Sequence, residues 1–321
     1  MSFDRIPTRS LGTGPQVGAV GLGCMGMSWA YDPSDRDEAT SIAAIHAALD
    51  AGATLIDTAP AYGPHTNEEL VGRALRGRRS EAVLATKVGL VVDPLTFEFV
   101  KDGRPGSVIA SCEDSLRRLD VEVIDLLQLH RVDPDTPLEE TWAAMAELVA
   151  KGWVLRIGLS ETSVAQCARA HAIHPVTSVQ SELSLWTRDA LDEVVPWCAA
   201  NGASFIPFSP LGRGFLTGSI GADHTFEAKD FRSRNPRFTA DAVRANQRIV
   251  EEIRAAAEAL GATAAQVAIA WTLAQSPAII PIPGSRRAAR VLENAAAAAL
   301  EVPAEVLERL DSLPAPVGSR Y

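Results

Sequence analysis

The sequence predicts an α/β protein that folds as a (β/α)8 TIM barrel, and two patterns support this prediction. Short apolar runs alternate with longer amphipathic segments, eight of the first kind and about eight of the second. The short runs are apolar on both faces, which is typical of parallel strands covered by helices. We therefore expect one barrel domain over residues 1–321 rather than two domains.

Each predicted strand is a short apolar run that a helical segment follows. The predicted strands are Ala19–Gly23, Thr54–Asp57, Ala82–Lys87, Ile124–Leu129, Leu155–Leu159, Ser178–Gln180, Ser204–Phe208 and Ile279–Pro283.

The predicted helices are marked by apolar residues at helical spacing and by residues that begin or end a helix. Asp35 is the expected N-cap of the first helix, and Gly52 and Gly152 are expected to end the first and the fourth. The helical segments are Arg36–Ala51, Asn67–Leu75, Val108–Leu119, Leu138–Lys151, Val164–His174, Leu191–Asn201, Asp241–Gln275 and Arg287–Ala299.

Two segments lie outside this alternation. Ile6–Val17 predicts an N-terminal β-hairpin before the first barrel strand, with its turn around Gly12–Gly14. Gly212–Thr239 is a long polar loop after the seventh strand, and loops of this length in a compact fold usually have a function. We expect this loop to be a lid.

Charge and cysteine content exclude several classes of protein. A net charge of −10 argues against binding to nucleic acids or anionic membranes. No apolar run approaches the ~20 residues of a membrane span, and the N-terminal residues lack the apolar core of a signal peptide. The four cysteines form no CxxC pair, which favours a reducing cytoplasm over disulfides or a zinc site.

A GxGxxG pattern at Gly21–Gly26 follows the first predicted strand and raises the alternative of a dinucleotide-binding Rossmann unit. Such a unit needs a helix that starts at the glycines and an acidic residue that ends the next strand ~20 residues on. Here the helix starts only near Asp35, and the next strand ends too far downstream, at Asp57. The sequence therefore favours the glycine-lined end of a barrel strand.

Polar side chains end three consecutive predicted strands. Asp57 ends the second strand, Lys87 ends the third, His130 follows the fourth, and Tyr62 lies in the loop after Asp57. In a (β/α)8 barrel the carboxyl ends of the strands meet at one edge. Each residue alone has a structural explanation, such as a helix cap or a solvated lysine. Four of them at corresponding positions predict a catalytic site.

These four side chains suit the reduction of a carbonyl by a hydride donor, since the resulting alkoxide must be protonated. Tyr62 is the expected acid, although a free phenol has a pKa of ~10. The Lys87 ammonium is expected to lower that pKa, and Asp57 supplies the counter-charge that a buried lysine needs. His130 is expected to donate a hydrogen bond to the substrate oxygen.

Eight motifs, which include the segments of the four proposed catalytic residues, occur in order along the chain. They are Leu22–Met27, Asp57–Gly63, Asn67–Gly72, Ala85–Lys87, Asp125–His130, Ile157–Glu161, Phe208–Gly214 and Pro283–Arg286. In these motifs the chain resembles the aldo-keto reductase family, from about residue 5 to residue 313. It most resembles a bacterial branch that contains pyridoxal reductases and broad carbonyl reductases.

The resemblance implies an NADPH-dependent reduction of aldehydes or ketones in which Asp57, Tyr62, Lys87 and His130 are catalytic. It also implies where NADPH would bind. The residues expected to hold the nicotinamide carboxamide, the nicotinamide ring or the pyrophosphate are Ser160, Gln180, Phe208, Ser209, Leu211, Gly212 and Arg213, with Gly23, Cys24 and Met25 also against the cofactor.

The segment after the eighth strand is expected to bind the 2′-phosphate and the adenine. Gly284 and Ser285 precede a predicted helix, and a helix N-terminus is favourable for an anion. By the resemblance, Ser285, Arg286 and Arg290 would hold the 2′-phosphate, which favours NADPH over NADH. Glu293 and Asn294 would reach the adenine. Trp29, Val88 and Trp186 are the candidates for the substrate pocket.

We interpret the sequence as a cytoplasmic carbonyl reductase that acts on a small molecule and uses neither metal, nucleic acid nor membrane. Two alternatives stay open. One is a regulatory subunit that senses NADPH with little turnover, and the other is the same enzyme acting as an alcohol or sugar dehydrogenase. Members of the family occur as monomers and as larger assemblies, so a homo-oligomer also stays open.

Overall fold

The computed structural model describes residues 5–34, 36–93 and 98–320. Its strands, numbered in chain order, are β1 (Thr8–Ser10), β2 (Gln16–Gly18), β3 (Leu22–Gly23), β4 (Leu55–Asp57), β5 (Val83–Val88), β6 (Leu90–Val92), β7 (Phe99–Lys101), β8 (Leu126–Leu129), β9 (Ile157–Ser160), β10 (Ser178–Glu182) and β11 (Ser204–Phe208). Its α-helices are α1 (Glu38–Ala51), α2 (Thr66–Leu75), α3 (Pro105–Leu119), α4 (Leu138–Ala150), α5 (Val164–His171), α6 (Val194–Ala200), α7 (Ala240–Leu260), α8 (Ala264–Ala274), α9 (Ala288–Ala296) and α10 (Ala304–Asp311).

Seven strands form one parallel sheet, in the order β3-β4-β5-β8-β9-β10-β11. Two parallel β-bridges, Gly23–Gly284 and Phe205–Ile279, attach the segment 279–284 to both ends of this sheet. The segment is the predicted eighth strand, and it closes the sheet into a barrel. Outside the sheet, α1 packs against both α2 and α9, so the helices also close into a ring. The predicted (β/α)8 barrel is confirmed.

Side chains alternate between the barrel interior and the layer of helices, because successive residues of a strand point to opposite faces. The apolar side chains of the interior form one cluster around Leu55, Ala85, Leu126, Ile206, Ile280 and Ile282. Two residues further along three of these strands, the same face carries Asp57, Lys87 and Gln128. The interior is therefore apolar at its centre and polar at the carboxyl ends of the strands, which we call the carboxyl edge.

The predicted N-terminal hairpin is present as the antiparallel pair β1–β2. Leu11 and Val17 of the hairpin are buried in the interior cluster. The backbone N–H of Gly12 donates to the Ser204 hydroxyl at 2.8 Å. The Arg9 guanidinium donates to three backbone carbonyls in and after α8. The hairpin thus fills the amino end of the barrel, which leaves the carboxyl edge as the accessible end.

The structure corrects several predicted elements. The segment Asp241–Gln275 is two helices rather than one, because Gly261 ends α7 with a φ of 61° and the Thr263 side chain caps α8. Asp35 lies outside the described residues, and the side chain that caps α1 is Asp37. The hairpin β6–β7 and the helix α10 were not predicted. Among the described residues, no helix is both long and apolar enough to cross a membrane.

The glycine pattern is explained by close packing of strands. A Cβ on Gly21 would lie 2.8 Å from the carbonyl oxygen of Leu55, and one on Gly23 would lie 2.8 Å from that of Ile282. No side chain fits at these distances. The chain continues into a 3₁₀-helix, and α1 begins only at Glu38. The Rossmann alternative is therefore excluded, as the sequence predicted.

Candidate active site

The structure brings the four predicted catalytic residues together at the carboxyl edge. Asp57 ends β4, Lys87 lies at the end of β5, and His130 follows β8 directly. Tyr62 lies in the loop between β4 and α2, with its ring edge-on to the His130 ring at 6.0 Å between centroids. The Lys87 Nζ lies 5.0 Å from the centroid of the Tyr62 ring.

Asp57 is the centre of a buried network that we call the Asp57 cluster, formed by Asp57, Lys87, Gln128 and Gln180. The Lys87 Nζ donates to Asp57 Oδ1 at 2.6 Å and to the Thr58 carbonyl at 2.8 Å. The other carboxylate oxygen accepts from the side-chain amides of Gln180 at 2.8 Å and Gln128 at 3.2 Å. One carboxylate on β4 therefore binds side chains from three other strands.

Opposing effects act on the pKa of each of the two proton-bearing groups. Burial lowers the pKa of Lys87, but attraction to Asp57 and Tyr62 outweighs it and leaves the pKa above its ordinary value. Burial raises the pKa of Tyr62, and attraction by the Lys87 ammonium opposes this rise. The net shift of the Tyr62 pKa is upward. The prediction that Lys87 lowers this pKa gives the right sign for Lys87 but misses the larger effect of burial.

His130 is a buried and neutral imidazole. Burial is the largest cause that holds the pKa of His130 well below its ordinary value, followed by the charges of Lys87 and Arg131. The ring nitrogen Nδ1 is buried and has no hydrogen-bond partner among the described residues. A neutral ring beside Tyr62 suits a group that donates a hydrogen bond to an uncharged carbonyl oxygen.

The loop that carries Tyr62 is held by the first turn of α2. The Thr58 hydroxyl donates to the Asn67 side-chain oxygen at 2.7 Å. The Asn67 amide donates to the Cys24 carbonyl at 3.0 Å and to the Ser28 hydroxyl at 2.7 Å. Asn67 thus connects the loops after β3 and β4, which fixes the position of Tyr62 over Lys87.

The residues predicted to bind nicotinamide lie on β9, β10 and β11, with Ser160 and Phe208 as the last residues of β9 and β11 and Gln180 two residues before the end of β10. Ser160 is buried, and its hydroxyl accepts a hydrogen bond from Arg131 at 3.2 Å. The Gln180 amide donates into the Asp57 cluster, so its nitrogen is engaged inside the barrel. Phe208 is partly buried, and the Arg320 guanidinium lies 5.4 Å from its ring centroid.

The segment after β11 has the backbone shape of an anion site. Ser209, Gly212, Arg213 and Gly214 all have positive φ angles, whereas Leu211, which lies between Ser209 and Gly212, has a φ of −95°. A right-handed residue followed by a left-handed one, as at Leu211 and Gly212, turns successive backbone N–H groups toward one side, an arrangement that binds phosphate in other proteins. Non-glycine residues at positive φ cost about 1–3 kcal/mol, which is typical of functional segments. This shape supports the predicted contact with a pyrophosphate.

Glu182, two residues after Gln180, gathers three arginines from distant parts of the chain. Its carboxylate lies 3.1 Å from Arg213, 3.7 Å from Arg237 and 2.7 Å from Arg320. Two of these arginines belong to the predicted lid and the third to the C-terminal segment. We call Glu182 and these three arginines the Glu182 cluster. It attaches the predicted lid and the C-terminal segment to the end of β10.

The segment predicted to bind the 2′-phosphate and the adenine lies where the eighth strand leads into α9. Gly284 bridges to Gly23, and Ser285 accepts a hydrogen bond from the Arg287 backbone N–H at 3.2 Å. Arg286 donates to the Asp32 carbonyl in the loop after β3. On α9, Arg290 pairs with Glu293 at 3.1 Å, and Asn294 is buried.

Two of the predicted substrate residues do not line the carboxyl edge. Val88 is buried in the core between strands and helices, since Lys87 takes the interior face of β5. Trp186 is buried under the predicted lid, stacked on Phe215 at 4.9 Å between ring centroids. The prediction is wrong for both residues, because each apolar side chain packs into the core instead. Trp29 is partly buried and contacts Phe99 of β7 edge-on at 6.2 Å.

The residues after β3 lie close to the Asp57 cluster. The Cys24 backbone N–H donates to the Asp57 carbonyl at 2.9 Å. Cys24 is buried, and burial raises the pKa of its thiol. Gly23 and Met25, on either side of Cys24, are partly buried. These positions are compatible with their predicted place beside a cofactor.

Sequence reasoning missed Gln128, Arg131 and Glu182. Gln128 lies two residues before His130 and Glu182 lies two residues after Gln180, so each shares the interior face with a predicted residue. That alternation is the signal that could have found them. Arg131 directly follows His130, and no sequence pattern separates it from a solvated arginine.

The residues present fit a nicotinamide dinucleotide phosphate. The orphaned Nδ1 of His130 and the polar ends of β9 and β10 lie at one end of the site. The left-handed turn after β11 and the arginines around Ser285 suit phosphates. No group of three potential metal ligands occurs within the described residues.

The comparisons with known proteins agree on one family. The sequence model of the Aldo/keto reductase family matches residues 19–315. The chain is 42% identical over 306 residues to a probable aldo-keto reductase 1 of Glycine max, which covers 94% of this chain and 87% of that protein.

Solved structures give the same result. A glycerol dehydrogenase from Gluconobacter oxydans aligns with a TM-score of 0.85 at 32% identity, over 100% of this chain and 99% of that one. An aldo/keto reductase from Klebsiella pneumoniae, solved in complex with NADP and acetate, aligns with a TM-score of 0.74 at 29% identity, over 98% of each chain.

Proposed function

This chain belongs to the aldo/keto reductase family, and on that premise we propose that it reduces an aldehyde or ketone to an alcohol with Tyr62 as the proton donor. It is an oxidoreductase of the kind that uses NADP(H). The observation that carries the proposal is the convergence of Tyr62, Lys87, Asp57 and His130 at one edge of the barrel.

When bound along the residues proposed to hold it, NADPH would supply the hydride that the carbonyl carbon accepts. His130 orients the carbonyl oxygen beside Tyr62 by donating a hydrogen bond from its neutral ring. Tyr62 then transfers its phenolic proton to the oxygen as negative charge develops there. Lys87 stabilises the phenolate that remains, and Asp57 holds the ammonium in place at 2.6 Å.

The raised pKa of Tyr62 is consistent with this direction of proton transfer. At neutral pH the phenol is fully protonated and is available as an acid. Because Lys87 lies beside the ring, the phenolate is still accessible during the reaction. The network of Gln128 and Gln180 holds Asp57 in one orientation and so fixes Lys87 under Tyr62.

We expect a preference for NADPH over NADH. Ser285 and Arg286 lie just before α9 and Arg290 lies in its first turn, so a 2′-phosphate bound at this helix start would receive charge-assisted hydrogen bonds. In this structure Arg290 forms an ion pair with Glu293. The pair is exposed, so water and dissolved ions weaken the attraction between the two side chains.

A panel of carbonyl compounds, including pyridoxal and a nitrobenzaldehyde, assayed in parallel with NADPH and NADH, tests the proposal. Steady NADPH oxidation with at least one carbonyl is expected, and Arg290→Ala should reduce the preference for NADPH. Arg169→Ala, at an arginine paired with Glu139 on the outer surface, is the control. Tight NADPH binding without turnover on any compound would instead indicate a regulatory subunit.

A second candidate is oxidation of an alcohol or polyol by the same site. It is favoured by the structural likeness to a glycerol dehydrogenase. The same residues serve in reverse, with the Tyr62 phenolate as the base. Initial rates with glycerol and NADP+, set beside carbonyl reduction at the same pH, show which direction the enzyme favours.

We further propose a cytoplasmic location and a single barrel domain over the whole chain. The four cysteines are all free and buried, as expected in a reducing compartment. Mass measurement of the purified protein will show whether it forms a homo-oligomer.

A further inference from the structure

Arg131 lies beside the proposed catalytic residues but has no part in the mechanism above. It follows His130 at the carboxyl end of β8, so it lies at the same edge as Tyr62. Its Nη1 donates to the His130 carbonyl at 2.6 Å and to the Ser160 hydroxyl at 3.2 Å. These two bonds hold the guanidinium across the gap between β8 and β9.

Arg131 differs from four arginines near this edge in having no carboxylate partner within the described residues. Arg213, Arg237 and Arg320 share Glu182, and Arg104 pairs with Asp102 at 2.7 Å. Within the described residues, no Asp or Glu oxygen lies within 4.0 Å of the Arg131 guanidinium. Half-buried Arg9 and Arg188 also lack a carboxylate partner there, but three backbone carbonyls accept hydrogen bonds from each of them. Arg131 has neither a carboxylate partner nor such a set of carbonyls, so a ligand can supply its counter-charge.

The positive charge of Arg131 acts on the pKa values of His130 and Tyr62. It is among the causes that lower the pKa of His130, and it opposes the rise of the Tyr62 pKa. The Lys87 ammonium is already neutralised by Asp57, and the His130 ring is neutral. Arg131 is therefore a second cation, after the Lys87 ammonium, whose charge acts on both Tyr62 and His130.

Most of the guanidinium is available to a ligand. Only Nη1 hydrogen-bonds to the described part of the protein, so the Nε and Nη2 donors are unused there. Those two donors can bind both oxygens of one carboxylate.

We propose that Arg131 binds the carboxylate of the substrate, so that the preferred substrates are aldehydes or ketones that carry a carboxylate group. This inference rests on the proposed function, because it assigns a substrate class to the same site. The anion is assigned to the substrate rather than to a cofactor phosphate. Arg131 contacts Ser160 at the nicotinamide end, whereas the proposed phosphate contacts lie after β11 and before α9.

A matched pair of substrates tests the assignment. 4-Formylbenzoate and its methyl ester have the same reacting aldehyde and differ in charge. We expect the wild-type kcat/KM to be about 10- to 100-fold higher for the carboxylate, as a charge-assisted pair would give. In Arg131→Gln this ratio should fall to near one, and Arg131→Lys should restore part of it.

Arg104→Gln is the control, since Arg104 follows β7 at the same edge but is exposed and paired with Asp102. In Arg104→Gln the ratio of kcat/KM for the carboxylate to kcat/KM for the methyl ester should equal the ratio in the wild type. If Arg131→Gln lowers kcat/KM equally for both substrates, Arg131 only supports Ser160 and His130, and the assignment is wrong. An unchanged ratio in Arg131→Gln also overturns it.

A binding measurement separates this assignment from the proposed function. Benzoate, which cannot be reduced, is titrated calorimetrically into the protein with bound NADP+. We expect Arg131→Gln to weaken benzoate binding at least tenfold and to leave NADP+ binding within about twofold. If no carbonyl is turned over but benzoate binding depends on Arg131, the reductase proposal fails and the anion site stands. Benzoate binding that is equal in both proteins, or absent, rejects the site.

Discussion

Two buried carboxylates at the carboxyl edge, Asp57 and Glu182, are stabilised in different ways. Asp57 accepts from one cation and two amides, and all of its partners lie on strands of the barrel. Glu182 also lies on a strand, but its three arginines come from the predicted lid and the C-terminal segment. The first cluster is built by the sheet, and the second joins loops to the sheet.

The difference predicts different responses to mutation. In the Asp57 cluster a single ammonium neutralises the carboxylate, so losing it leaves a buried charge without a cation. In the Glu182 cluster the loss of one arginine leaves two. The Asp57 cluster is thus suited to hold one geometry for chemistry, whereas the Glu182 cluster is suited to position segments that we propose to contact a cofactor.

The largest expected effect is on the rate of the chemical step, and it concerns Tyr62, which lies beside the Asp57 cluster. Tyr62→Phe should lower kcat for carbonyl reduction by about 10²- to 10⁴-fold, because it removes the proposed acid. The dissociation constant of NADPH should change little, since the hydroxyl is not among the proposed cofactor contacts. Single-turnover NADPH oxidation and a fluorescence titration measure the two quantities. A kcat within tenfold of wild type would show that Tyr62 is not the acid.

The second effect compares the stability of the two clusters. Lys87→Met should lower the free energy of unfolding by about 3–5 kcal/mol, because Asp57 stays buried without its cation. Arg213→Met should cost only about 1–2 kcal/mol, since Arg237 and Arg320 still contact Glu182. Urea denaturation measures both.

The double variant Asp57→Asn/Lys87→Met is the control for that comparison. It should recover a large part of the loss, because no buried charge is left unpaired. Equal losses in Lys87→Met and Arg213→Met would remove the distinction between the clusters.

The third effect is on the affinity for the cofactor, and it concerns Arg213 of the Glu182 cluster. Arg213→Met should weaken NADPH binding roughly tenfold, because Arg213 lies in the turn proposed to cover the pyrophosphate. The kcat at saturating NADPH should stay close to wild type. Fluorescence titration of Arg213→Met beside Arg169→Met checks this, and equal affinity in the two variants would contradict it.

The smallest effect is a pH dependence of stability that comes from His130. The pKa of His130 in the folded protein lies well below the ordinary value of 6.5. As the pH falls below 6.5, the unfolded chain binds a proton that the folded protein does not, so stability is lost. Between pH 7 and pH 5.5 this loss should be about 1 kcal/mol smaller in His130→Gln. Urea denaturation at both pH values tests it, and identical losses would count against a neutral His130.

The sequence was sufficient to predict the barrel and to locate the four proposed catalytic residues at one edge of it. Their positions follow from local rules, because apolar alternation locates each strand and parallel strands end at one edge. The same rules were not sufficient for Val88 and Trp186. Both are apolar residues near that edge, and only the packing of the strand and the lid shows that they face the core.

By itself, then, the sequence determined the fold and the chemistry available at the carboxyl edge, since both depend on residue type and short-range spacing. The tertiary structure decided which charges are paired. Glu182 and Arg320 are 138 residues apart in sequence, and their contact depends on the path of the C-terminal segment. Arg131 has no carboxylate partner in the described part of the chain for the same reason, because pairing at this edge is set by how distant loops fold over the barrel.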